Sequence, residues 1–364
     1  MLSRLHILAL GFLPGITTAA LRGLVESGAS FDDIAAAPAG DLAGFGLRRA
    51  AIAGLANIDG LLERAAHQIA EAERHGAGIM QFWDTDYPPL LRAIYSAPVT
   101  LYVQGRLLPE DERTVAIVGT RGASVYGRLA AERYAAEIAA AGITVVSGLA
   151  RGIDTYAHTA TLKAGGRTIA VVASGLDQIQ PSYAAQLAGR IAEHGAVVSE
   201  YPFGVKALRP YFPQRNRIIS GMASGTVVVE SDETGGAMIT AGFALDQNRD
   251  VFAVPGPISS PKSRGPNTLI RTDRARLTQS PSDVLEMLGY RQIARTENPA
   301  EMPPSNDLTL FEQRIYNVVD GEPVHIDAIC EHTGLPSNEV LVHLLTLEFK
   351  GLVRQIAGKM FLRG

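Results

Sequence analysis

Thr114 to Asp154 reads TVAIVGTRGASVYGRLAAERYAAEIAAAGITVVSGLARGID. Val115, Ile117 and Val118 make an apolar β run that stops at Gly119. Leu129, Ala130, Tyr134, Ile138 and Ala141 then recur at helical spacing, and Gly142 ends the helix. Ile143, Val145 and Val146 form a second strand that stops at Gly148. Two strands joined by one helix make a parallel, right-handed βαβ unit. Both Gly-rich turns therefore lie at the carboxyl edge of one sheet, where open α/β sheets bind ligands. Helix N-termini bring free N–H groups and a positive dipole end to that edge, which favours an anion. Gly119, Gly122, Gly148 and Gly152 allow close backbone approach, and Arg121 and Arg151 supply bidentate donors. The simpler reading, glycines that only make tight turns, loses weight when each turn also carries an arginine. Gly119-Thr120-Arg121-Gly122 lacks the G-x-G pair of a dinucleotide fingerprint, and no G-x-x-x-x-G-K-[ST] stretch occurs. No cofactor is implied.

The same rhythm continues downstream. Apolar strands are expected at 168–172, 196–199, 225–230 and 250–254, each ending in polar or Gly residues. With the first two they make six, the pattern of a doubly wound parallel sheet. Asp154 and His158 share a helical face at i, i+4. Between Glu200 and Gly225, Lys206, Arg209, Arg215 and Arg217 interleave with Tyr201, Phe203, Tyr211 and Phe212. Cations that track a backbone, beside aromatic faces for bases, are a single-strand binding pattern. The alternative is that the aromatics are core and the arginines solvated. Lys262, Arg264, Arg271, Arg274 and Arg276 add charge after Gly256.

Four segments are expected. Residues 1–78 read as a small helical module, with turns at Pro14-Gly15 and Gly44-Phe45-Gly46 compatible with helix-hairpin-helix units or with a packing module. Residues 79–289 are the main α/β domain, of which 79–110 are a lead-in; 290–306, rich in Pro, are a linker. Residues 307–364 read as three helices and a hairpin, a winged helix. Its third helix carries Asn338, Glu339, His343, Glu348 and Lys350, a poorly basic surface that argues more for protein contact than for duplex binding.

Composition narrows the classes. At 364 residues with 46% hydrophobic content, the chain can bury a large core. The net charge of −4 means that a polyanion site must be a local patch. A single cysteine, Cys330, excludes an internal disulfide and a multi-cysteine zinc site, and fits a reducing cytoplasm. No metal site is expected. The opening LSRLHILALGFLPG has a short apolar run interrupted by His6 and reads as a first helix, with a signal peptide as the alternative. No stretch approaches the ~20 apolar residues of a membrane span.

Several motifs together are similar to the DprA/Smf family of DNA-processing proteins. They are Ala116-Ile117-Val118-Gly119-Thr120-Arg121 with Tyr126-Gly127, and Ser147-Gly148-Leu149-Ala150-Arg151-Gly152-Ile153-Asp154 with His158. Further on come Ser199-Glu200-Tyr201-Pro202, Phe212-Pro213-Gln214-Arg215-Asn216-Arg217-Ile218-Ile219-Ser220, Val229-Glu230 and Val254-Pro255-Gly256. The resemblance covers nearly the whole chain. It departs at Gln180-Pro181, at Thr234-Gly235-Gly236-Ala237 and at Thr272-Asp273. It implies a Rossmann-like domain that binds single-stranded DNA, loads the RecA recombinase during natural transformation, and dimerises through the central domain. It also implies a sterile-alpha-motif-like N-terminal module and a winged-helix C-terminal one.

The expected strand-binding set is therefore Gly119, Thr120, Arg121 and Gly122, then Ser147, Gly148, Arg151 and Gly152, then Lys206, Phe212, Arg215, Asn216 and Arg217. Asp154, Glu200 and Glu230 are expected to orient the arginines. The expected role is that of a non-catalytic binder. The competing reading is a nucleoside-monophosphate glycosidase-like enzyme with Asp154, His158, Glu200 and Glu230 as acid and base. The Pro-Gly-Gly-x-Gly-Thr-x-x-Glu motif of that class is absent.

Overall fold

The computed structural model describes residues 2–290, 308–319, 323–349, 352–356 and 359–363. The chain divides into two compact units, residues 1–295 and 296–364. Apart from Tyr290, the linker expected over 290–306 lies outside the described residues, as do Lys350, Gly351, the Ala357-Gly358 turn and the side chain of Asn338.

In the first unit six helices come first: α1 (Arg4–Gly11), α2 (Thr18–Glu26), α3 (Phe31–Ala36), α4 (Ala39–Gly44), α5 (Arg49–Gly54) and α6 (Ile58–Arg74). The Ser3, Thr17 and Ser30 hydroxyls cap α1, α2 and α3, as short helices need when propensity alone cannot hold them. Leu8, Leu10, Leu24 and Ala65 share one core with Tyr102, Val172 and Phe203, so the helical layer is packed onto the sheet. Among the described residues no helix is long and apolar enough to cross a membrane.

The sheet then follows. Its elements are β1 (Ala77–Gln81), α7 (Pro89–Arg92), β2 (Thr100–Gly105), β3 (Thr114–Val118), α8 (Val125–Ala140), β4 (Thr144–Ser147), α9 (Ile153–Lys163), β5 (Thr168–Val172), α10 (Ser182–His194) and β6 (Ala196–Ser199). They continue with α11 (Tyr211–Gly221), β7 (Gly225–Val228), α12 (Gly236–Asp246), β8 (Asp250–Ala253), α13 (Arg264–Arg271), β9 (Arg276–Leu277) and α14 (Pro281–Met287). The nine strands lie in the order β1-β2-β6-β5-β4-β3-β7-β8-β9. All six expected strands pair in parallel, with Val115 opposite Val145 on one side of β3 and Gly225 on the other. Every residue of β3, β4 and β5 is buried, which is why they read as continuous apolar runs rather than alternating ones. Chain order reverses between β3 and β7, and the crevice opens there.

Two expectations need correcting. The 79–110 segment is more than a lead-in: β1 and β2 pair antiparallel, and β2 pairs antiparallel with β6, so they widen the sheet. In α8 the buried face is Gly127, Ala131, Tyr134, Ala135 and Ile138, while Leu129 is 56% exposed. The alanines let α8 lie close against α9, and that contact selects the small side of the helix.

The second unit holds α15 (Leu310–Val318), β10 (Val324–His325), α16 (Ile326–Thr333), α17 (Ser337–Phe349), β11 (Val353–Ile356) and β12 (Met360–Arg363). Its strands order β10-β12-β11 over a core of Ile315, Ile329, Leu344, Leu347 and Phe361, a winged helix. His343 of α17 stacks on Phe311 at 5.8 Å, and Glu348 accepts from the Gln355 N–H at 3.1 Å.

Candidate nucleic-acid interface

Two adjoining clefts open at the carboxyl edge beside the β3–β7 reversal. The first, about 430 Å³, is lined by Gly119, Thr120, Asp154, Asn216, Asp232 and Gly236, among others. The second, about 260 Å³, is lined by Gly148, Arg151, Ser174, Tyr183 and Ala207, among others. Arg121, Ala150, Phe212 and Arg215 belong to both and form the wall between them. Arg121 is exposed, and its guanidinium lies 5.0 Å over the Phe212 ring, a cation–π contact that holds the charge at the lip.

The turns are built from the inside. Glu230, just past β7, accepts from the Ser124 N–H at 2.9 Å and from the Ser124 hydroxyl, so its carboxylate braces the residue whose hydroxyl caps α8 by accepting from Gly127 N. A Cβ on Gly127 would run into that carboxylate. Asp154 accepts from the N–H groups of Gly148 at 3.2 Å and Ala150 at 3.3 Å. Burial raises its carboxyl above the ordinary range, while Arg215 and these N–H donors pull the other way. Gly152 holds φ 91° and ψ −131°, with its Cα against the Thr120–Arg121 peptide. The two turns are joined there: Ile153 N donates to Thr120 O at 3.3 Å, and Arg151 Nε donates to Arg121 O at 3.3 Å.

Several amides expected to face an anion are engaged within the protein: Thr120 N donates to the Glu230 carbonyl at 2.7 Å, and Gly148 and Ala150 N donate to Asp154. What faces the clefts instead is the pair Arg121 and Arg151, together with the N-terminus of α12. Gly235 there provides no side-chain cap, and Gly235, Gly236 and Ala237 line the first cleft. This helix start is absent from the expected strand-binding set; the signal was the Gly235-Gly236 pair at the head of the helix.

The remaining expected residues divide. Phe212, Arg215 and Asn216 reach the clefts, and Asn216 Nδ2 donates weakly to Gly236 O at 3.4 Å. Arg215 is buried: its Nη1 donates to the carbonyls of Gly148 and Val171, and desolvation brings its pKa down to about 10, so it stays charged at neutral pH. Arg217 lines neither cleft and grips both Glu200 oxygens at 2.6 Å. Glu200 therefore pairs with an arginine outside the clefts, whereas Glu230 touches no arginine. Ser147 is fully buried, donating to Ile117 O at 2.6 Å, so its hydroxyl serves the sheet. Gly122 and Lys206 are exposed and line neither cleft. Of the four aromatics, Phe203 is core and Tyr201 stacks on Tyr211 at 4.3 Å, which leaves Phe212 for the ligand.

His158 is fully buried, with Nδ1 2.7 Å from Thr168 Oγ1, and it lines neither cleft. Burial, aided by Arg215, pushes its pKa down to about 3. It is neutral at working pH and out of reach of a substrate, so the acid–base set of the competing reading does not assemble. A stability signature follows. Unfolded, this histidine takes a proton near pH 6.5; folded, it resists until about 3. Its contribution is lost as pH falls through that window, at about 1.4 kcal/mol per pH unit. His158→Phe should flatten the acid limb of a denaturation series, and an unchanged limb would show the histidine is not buried neutral. Among the described residues, no group of three or more His, Cys, Asp or Glu could hold a metal ion.

The fold defines a class: a Rossmann-like α/β domain whose carboxyl edge sets arginines and an uncapped helix start around paired clefts, with a winged helix as the second unit. A family model described as DNA recombination-mediator protein A matches residues 78–289, and one described as the DprA winged helix domain matches 299–359. Protein Smf of Escherichia coli (strain K12) is 41% identical over 277 residues, covering 75% of this chain and 74% of that protein. DNA processing protein DprA of Bacillus subtilis (strain 168) is 40% identical over 230 residues, covering 63% and 77%. Among solved structures, DprA from Streptococcus pneumoniae aligns with TM-score 0.64 and 34% identity, over 78% of this chain and 98% of that one. DprA from Helicobacter pylori, described for its single-stranded DNA binding mode, aligns with TM-score 0.53 and 25% identity, over 58% and 95%. The chain belongs to the DprA/Smf family of DNA-processing proteins.

Proposed function

We propose that this protein binds single-stranded DNA across the two clefts without cutting it, protects incoming strands and loads RecA onto them during natural transformation. The observation that carries the reading is the shared wall: Arg121 over Phe212 offers a phosphate clamp and an aromatic face at one point between two nucleotide-sized recesses. Arg151 and the α12 N-terminus extend the grip, Arg215 charges the wall from beneath, and Lys206 precedes Ala207 of the second cleft in the chain. Gly119, Gly122, Gly148 and Gly152 shape the turns. The Helicobacter pylori relative supports the choice of ligand. The proposal extends to RecA as partner, a homodimer through the Rossmann-like domain and a cytoplasmic site of action, with family membership as the support.

Fluorescence anisotropy on a labelled oligonucleotide tests the clamp. Arg121→Ala should weaken binding about tenfold or more, since a charge-assisted hydrogen bond contributes ~1.5–3 kcal/mol. Arg121→Lys should recover only part, having the charge but not the planar fork. Affinity should fall with salt, with a log–log slope of roughly −0.7 per phosphate contacted. Unchanged affinity in Arg121→Ala, or a flat salt response, would remove the site. The RecA role stands on a separate readout, filament assembly on the strand with and without this protein.

A further inference from the structure

We propose that a groove at the opposite edge of the sheet docks a short basic segment of a partner protein, one aliphatic side chain flanked by lysines or arginines. The inference does not rest on the strand-binding reading. The groove, about 130 Å³, lies between the 85–89 and 107–112 turns. The first turn contributes Tyr87, Pro88 and Pro89, and the second Leu107, Leu108 and Pro109. Proline has no N–H to offer and a locked φ, so the walls carry few donors and resist collapse. Leu108 is 37% exposed, a large aliphatic side chain left partly in water. An apolar cavity of ~150 Å³ takes up a benzene-sized group, so this one has room for one aliphatic side chain. The groove is held open in advance. Asp111 accepts from the Leu108 N–H, the Thr144 hydroxyl and Arg167 Nη2, each at 2.8 Å, which pins the 107–112 turn to β4 and to the residue before β5. A preformed recess spares its ligand part of the cost of ordering.

Charge identifies the partner. Asp86 and Glu112 line the groove, are exposed, and make no ion pair or side-chain hydrogen bond among the described residues. Glu110, also exposed, adds a third carboxylate in the same turn. No lysine or arginine is among the lining residues. Such a rim repels a polyanion, so nucleic acid is not its ligand. Among the described residues, no group of three or more His, Cys, Asp or Glu could hold a metal ion here. An aliphatic side chain between cations satisfies wall and rim together. The groove also stands clear of the clefts. The 107–112 turn feeds β3 at its amino end, whereas the clefts lie at its carboxyl end, roughly 15 Å away along a five-residue strand. Both places can therefore be filled at once.

The probe is a fluorescein-labelled peptide, Gly-Lys-Arg-Leu-Arg-Lys-Gly, titrated into the full-length protein at physiological salt. Saturable binding is expected. Replacing the peptide's leucine by glycine should weaken it about tenfold or more, the worth of burying one aliphatic side chain. Asp86→Lys combined with Glu112→Lys should weaken it at least as much. Both positions are exposed, so melting temperature should hold. Absence of saturable binding would overturn the inference. So would equal binding of the glycine peptide, which would mean bulk charge attraction only, or an affinity that survives the double reversal. Binding that emerges only after Arg291→Glu and Arg295→Glu would assign the groove to this chain's own sequence, and a self-association that the double reversal dissolves would assign it to a second copy. Either result would overturn the partner.

Discussion

Replacing Arg215 by methionine is expected to destabilise the protein by about 3–5 kcal/mol, the usual loss when one member of a buried charge pair is removed. Methionine approximates the volume but donates nothing. The Gly148 and Val171 carbonyls, at the ends of β4 and β5, lose the Nη1 donor that joins them. Asp154 loses the main cation that favours its ionised form. The Asp154 carboxyl, already raised by burial, rises further. A group whose folded pKa lies above its unfolded one contributes stability at low pH and loses it as pH climbs through the folded value. The deficit of Arg215→Met should therefore grow from about pH 4 upward, and adding Asp154→Asn should recover part of it. Urea titrations at several pH values decide the matter. A loss below about 1 kcal/mol, independent of pH, would mean that Arg215 is an ordinary surface cation.

Gly152→Ala is expected to be the most damaging single methyl group at the ligand edge. Its dihedral pair belongs to glycine, and forcing alanine there stores roughly 1–3 kcal/mol of strain. The added carbon would also meet the Thr120 carbonyl and the Arg121 main chain, at the seam between the turns. Relief requires the turns to separate, which parts Arg121 from Arg151, so strand affinity should fall by more than tenfold in protein that remains folded. Gly142→Ala is the control. Its φ of 75° is also positive but open space surrounds it, so it should lose only ~1–2 kcal/mol and keep its affinity. Equal behaviour of the two variants would show that the seam does not organise the site.

What could be read from the sequence, and what could not, has a physical pattern. The parallel strands were legible because strands covered on both faces are apolar without interruption and end abruptly. The partner of β2 was not, because its pairing with β6 joins residues almost a hundred positions apart. Arg215 and Arg217 stood as equivalent clamps in the sequence. Two steps along a helix turn a side chain by about 200°, so one faces the sheet edge and the other faces Glu200. The Thr120 amide looked free because its acceptor, the Glu230 carbonyl, arrives more than a hundred residues later. Phe203 looked like a stacking platform in an aromatic run. Only the packing of the helical layer shows it to be interior.

That last residue carries a mechanical consequence. Gln68 of α6 clasps the Phe203 main chain from both sides, its amide donating to the carbonyl at 3.3 Å and accepting from the N–H at 2.8 Å, while His75 stacks on the ring at 5.1 Å. Four residues further on, Ala207 lines the second cleft. The helical layer thus holds a rein on one bank of the second cleft. A load that slides α6 along its axis would pull on the wall of that cleft without touching its interior.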